Sequence, residues 1–127
     1  MPRTIGPVAP NSPKTYGSES LMSRGYAVAP GVADGNATAI TAAGQRALGI
    51  LEEDVLAVGR GAKVNRLGDS VGIAGAAIPY GSYVKADATG RLVAIAGTAG
   101  EEIVGRAEST AAALGDEVLV FVLPQIR

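Results

Sequence analysis

At 127 residues the chain has room for one domain and an arm. It has no cysteine and no histidine, which excludes disulfide, iron–sulfur and thiol chemistry and removes the commonest general base and zinc ligand. With a net charge of −1 and eleven scattered basic residues it carries no stripe for nucleic acid, and no run approaches the ~18 apolar residues of a membrane span.

Residues 1–25 differ from the rest. Pro2, Pro7, Pro10 and Pro13 fall here, with Ser12, Ser18, Ser20 and Ser23, and no long apolar periodicity. Proline removes backbone donors and favours extended chain. The segment reads as a tail or as an extended arm that orders on a neighbour, anchored by Ile5, Val8, Tyr16, Leu21 and Met22. Its opening, MPRTIGPVAP, lacks the apolar stretch of a signal peptide and predicts a product of the cytoplasm.

From Gly25 the chain becomes β-like. Glycine followed three residues later by valine recurs at Gly25, Gly61, Gly68, Gly81 and Gly115. A turn glycine before a β-branched residue is how a short strand begins. Strands are expected at Tyr26–Ala29, Ala37–Thr41, Ala47–Leu51, Ala62–Leu67, Ser70–Ala74, Ser82–Asp87, Arg91–Ile95, Ile103–Arg106 and Glu117–Leu123. The last is nearly all apolar and is expected at the centre of the core, ended by Pro124. One short helix is expected at Glu52–Val58, with its acids at the start and Gly59 as its stop. Ser109–Leu114 reads as a helical turn or a loop.

Between Ala76 and Gly97 the chain reads turn, strand, turn, strand. Pro79 is expected second in a type I turn that Gly81 closes. Tyr83 and Lys85 then fall on one face, Val84 and Ala86 on the other. Tyr80 and Tyr83 flank this turn. Tyrosine suits a partner-binding rim, and equally cross-strand packing. The fold class is therefore all-β: a small barrel or compact sandwich with at most short helices and an extended N-terminal arm. The boundaries are an arm over 1–25 and a β-rich domain over 26–127. Few aromatics and many small side chains bury little area each, which favours support from a partner subunit.

A repeat is suggested by a shift of 56 residues. Ala43–Glu52 then lies on Ala99–Glu108 with four of ten positions identical, and Gly59 on Gly115. Either composition bias or two pseudo-symmetric β units would account for this.

Catalytic chemistry has thin support. Glu52-Glu53-Asp54, Glu101-Glu102 and Asp116-Glu117 are adjacent acids, and neighbours in a strand point to opposite faces. Asp34-Gly35-Asn36 and Asp87-Ala88-Thr89-Gly90 lack the spacing of a calcium loop. Gly59-Arg60-Gly61-Ala62-Lys63 lacks that of a phosphate loop. No catalytic residue, metal or cofactor is expected.

One pattern points to function. Ile78-Pro79-x-Gly81-x-x-Val84-Lys85-Ala86-Asp87-x-x-Gly90-Arg91-Leu92-Val93 resembles the small capsid cement (head decoration) proteins of tailed bacteriophages. Ile103-Val104-Gly105-Arg106-Ala107-Glu108, a run of small residues, and Gly115-Asp116-Glu117-Val118-Leu119-Val120 extend the likeness across Gly61–Leu123. The resemblance implies a structural protein that binds the assembled head on its outer surface in the virion, with the major capsid protein as partner. It also implies a homo-trimer, with arms reaching over the shell, and no role for nucleic acid or membrane. The alternatives are a self-assembling tail or baseplate module and, remotely, a carboxylate-dependent hydrolase.

Overall fold

The computed structural model describes residues 13–95 and 102–126. Among the described residues, ten strands form two units. In the first, β1 (Pro13–Ser18), β2 (Ala27–Pro30), β3 (Asn36–Ala39), β4 (Gly49–Leu51) and β5 (Gly61–Asn65) close into a barrel in the order β1-β3-β2-β4-β5. In the second, β6 (Gly68–Ile73), β7 (Tyr83–Ala86), β8 (Leu92–Ala94), β9 (Glu102–Ala107) and β10 (Glu117–Ile126) form a sheet in the order β6-β10-β9-β7-β8. The all-β class expected from the sequence is what is found.

The two units are one plan used twice. Moving a residue pair of the first unit forward by 56 residues lands on a pair of the second. Ala27↔Ile50 becomes Tyr83↔Arg106, Ile50↔Asn65 becomes Arg106↔Phe121, and Gly17↔Gly61 becomes Ile73↔Glu117. The isolated bridge Met22↔Val55 becomes Ile78↔Ala111. Loop hydrogen bonds follow: Gly25 N–H donates to the Leu51 carbonyl (2.8 Å) and Gly81 N–H to that of Ala107 (2.9 Å). Gly25 and Gly81 share a positive φ (85° and 88°), as do Gly59 and Gly115 (91° and 90°). The β7–β8 hairpin is one residue shorter, so Leu92 stands for Ala37. The parallel β1–β3 pairing that closes the barrel survives in the second unit as the single bridge Ala74↔Leu92.

Interior side chains exchange size between the repeats. Tyr16 and Ala37 fill the barrel where Gly72 and Leu92 stand in the second unit, and a Cβ on Gly72 would meet the Leu92 side chain. Leu51 and Val55 become Ala107 and Ala111, while Ala62 becomes Val118. The second set is the smaller: Tyr16, Leu51 and Val55 give way to glycine or alanine while Ala37 and Ala62 grow, so core identity and volume have both drifted while the pairing plan is kept.

Several expectations need correction. Pro13–Ser18, assigned to the arm, are β1 and pair with β5 along five residues. The rest of the arm, residues 1–12, lies outside the described residues. Glu52–Val58 is not a helix, and among the described residues there is none. Val55 instead exchanges two backbone hydrogen bonds with Met22, and Asp54 Oδ1 accepts from Arg24 N–H (2.7 Å). These tertiary partners outweigh the weak propensity of a seven-residue helix. Ser109–Leu114 is the matching loop, held by Asp116 Oδ2 accepting from Ala112 and Ala113 N–H.

Pro79 opens its turn instead of standing second. Its carbonyl accepts from Ser82 N–H (3.2 Å), with Gly81 at the positive-φ third position. β10 also runs past Pro124 to Ile126. A register shift between Val122 and Gln125 carries the proline, which has no N–H to give a ladder.

Candidate functional site

β10 is an interior strand of its sheet, between β6 and β9. Only one face of it is buried, however. Val118, Val120 and Val122 point into the core, while Leu119, Phe121 and Leu123 point out. Cross-strand register sets Phe121 beside Arg106 and Arg106 beside Tyr83, so one row of side chains crosses β10, β9 and β7 on the outward face. A shallow cleft of about 160 Å³ follows the row, lined by Tyr83, Ile103, Gly105, Arg106, Phe121 and Leu123. Tyr80, in the turn before β7, is exposed.

The repeat gives this face a reference. The same row in the first unit is Ala27, Ile50 and Asn65, each 3% exposed or less. In the second unit Tyr83 is 44% and Phe121 37% exposed, and the Arg106 side chain 54%. The first row is covered by the second unit itself. Gly90 carbonyl accepts from Ala27 N–H (2.7 Å), Asp69 carbonyl from Asn65 Nδ2 (2.8 Å), and Ile50 Cδ1 lies against Gly72. The outward row of β7, β9 and β10 has no such cover among the described residues. Aromatic rings around an arginine are the composition of an interface centre. The Glu108 carboxylate accepts from the Arg106 guanidinium (3.0 Å) and raises the affinity of that group for its proton.

The residues named for partner binding separate. Tyr80 and Tyr83 belong to the exposed face. Tyr16 and Met22 are buried in the first barrel and Leu21 is exposed beside them. Ile5 and Val8 lie outside the described residues. Arg106, Phe121 and Leu123 were missed. The signal available was a strand apolar on both faces, which needs cover on both.

Three of the candidate acids form ion pairs. Glu52 pairs with Lys63, Glu102 with Arg46, and Glu117 with Arg24, each at 3.7 Å. A wider cleft of about 370 Å³ at the junction of the repeats is lined by Arg24, Leu51, Glu52, Glu53, Asp69, Ser70 and Val71, of mixed charge. No group of three acidic residues among the described residues is placed to hold a metal ion.

Glu19 organises the β2–β3 loop. Its carboxylate accepts from Val32 N–H (2.8 Å), Ala33 N–H (3.0 Å) and Asn36 Nδ2 (3.0 Å). The bond from Ala33, then those from Val32 and Asn36, hold its pKa below the ordinary glutamate range. A depressed carboxyl contributes stability above its unfolded pKa and loses it as pH falls through the folded one. Glu19→Gln is therefore expected to lower the thermal midpoint at neutral pH, with the gap to wild type closing under acid conditions, below the usual glutamate range. Melting curves across pH check this; a gap independent of pH would contradict the assignment.

No protein-family model matches the sequence, and no curated protein sequence matches it. Among solved structures, the chain is similar to the N base of the head fibre gp8.5 of bacteriophage phi29. The TM-score is 0.69 at 20% identity, covering 87% of this chain and 92% of that one. At that identity the likeness concerns the fold.

Proposed function

We propose that this chain is a structural protein of a tailed-phage head, a decoration or cement protein seated on the outer surface of the assembled shell. The observation that carries the reading is the shared fold, over nearly the whole of both chains, with a protein described as the base of a head fibre. The cement-like segments from Gly61 to Leu123 support it independently. Its partner is the major capsid protein, and it acts as a homo-trimer bridging neighbouring coat subunits. The role is not enzymatic. Stabilisation follows from binding the assembled shell and not the alternative states, with weak contacts multiplied by the symmetry of the head.

Co-sedimentation tests this. Purified protein is mixed with expanded heads that lack it, pelleted and counted per shell. Saturation at a symmetry-allowed copy number, with heads that survive more heat, is the expected result. Failure to bind intact heads would overturn the reading in favour of a tail or baseplate module.

A further inference from the structure

We infer that the outward face of β7, β9 and β10 receives the first repeat of a second copy of this chain, head to tail, so that repeats continue around one ring. This specifies the contact of the trimer proposed above and rests on that reading for the number of chains.

The intrachain junction is the template. The first repeat offers Gly25, Ala27, Ile50 and Asn65; the second covers them with β6 and the β7–β8 loop. The face offered and the elements covering it are different parts of the plan, so the junction is heterologous. Each repeat therefore has both an acceptor face and a covering edge. One of each is left over: the acceptor face of the second repeat, with Tyr83, Arg106 and Phe121, and the covering edge of the first. That edge is β1 and the β2–β3 loop, whose tip residue Val32 is 99% exposed.

The leftover parts differ from the template in size. At the intrachain junction Gly25 of the acceptor face meets Ile73 of the edge. In the unused pair both equivalent positions are glycine, Gly81 and Gly17, while the acceptor carries Tyr83 where Ala27 stood.

A ring is favoured over an open fibre by one ion pair. Arg46 and Glu102 occupy the same position of the two repeats, yet their side chains meet at 3.7 Å. Equivalent atoms touch only near the axis of the operation that relates them. Repeating that operation keeps successive repeats gathered about one centre, and three chains supply six repeats.

The cysteine-free chain allows a direct test. Thr89 lines the same small cleft as Ala27. Their counterparts are Asp34 of the incoming copy and Tyr83 of the receiving one. Asp34→Cys and Tyr83→Cys are made as separate proteins and oxidised singly and mixed, free and on heads. A covalent dimer formed only in the mixture is expected. A second measurement is mass by light scattering: wild type at three chains, Tyr83→Asp with Phe121→Asp at one, with circular dichroism showing that the variant is folded.

Self-linking of Tyr83→Cys would mean an isologous contact and overturn the proposal. So would linking to the coat protein instead, or absence of any link in the mixture both free and on heads. An oligomer unchanged by the two aspartates would do the same. A link formed free by a protein that fails to pellet with heads would leave this contact standing and remove the shell-binding role.

Discussion

Gly49→Ala and Gly105→Ala are each expected to lower the melting temperature by about 10 °C, and by similar amounts. These glycines hold the same place in the two repeats, on β4 and β9. A Cβ on Gly49 would come within 3 Å of the Asn65 carbonyl, and one on Gly105 equally close to that of Phe121. Asn65 and Phe121 are themselves equivalent. The obstacle is backbone of the paired strand, which cannot rotate away as a side chain would. A strand glycine of this kind marks the close approach of another backbone. Overpacking costs about 1–3 kcal/mol and occasionally more. For a domain of this size each kcal/mol moves the midpoint by roughly 2–8 °C.

Gly59 and Gly115 supply the contrast. Nothing lies within 4 Å of a Cβ there, but φ is positive. Alanine at either meets only left-handed strain, about 1–2 kcal/mol. Thermal melts of the four variants should rank the strand pair below the turn pair. Loss at Gly49 with none at Gly105 would mean that the repeats do not carry the same crowding.

The fold was legible where local chemistry decides it. Alternation and turn glycines located nine of the ten strands to within a few residues. β1 was not legible, because Pro13 and the serines around it describe an extended chain equally well, and only the register against β5 makes that chain a barrel stave. The helix expected at Glu52–Val58 failed for a related reason: Val55 is held by Met22, far away in sequence. The repeat was faint because its identities lie in turn glycines such as Gly25 and Gly81, while the core positions traded sizes. Of the candidate face, Tyr80 and Tyr83 were legible as interface-type side chains. Arg106 and Phe121 were not, since their neighbourhood exists only through pairing across strands.

The boundary of the arm has a large consequence for truncation. Deleting residues 1–24 removes β1 with Tyr16, Ser18 and Met22, and with it the closure of the first barrel by both β5 and β3. Ser18 Oγ donates to the Arg60 carbonyl (2.7 Å), and Gly59 N–H to the Ser18 carbonyl (2.9 Å), so the β4–β5 loop loses its anchor too. Two open strand edges and an emptied core are more than a domain with about 5–15 kcal/mol of stability withstands. This variant is expected to lose cooperative unfolding and to aggregate. Deleting residues 1–12 leaves every described strand in place and is expected to melt close to wild type. Under the proposed function this shorter deletion weakens shell binding, because the arm is the part that reaches across coat subunits. Sedimentation with heads separates the two effects. A folded protein lacking residues 1–12 that still saturates heads at the wild-type concentration would remove the arm from the binding mechanism and leave attachment to the two β units themselves.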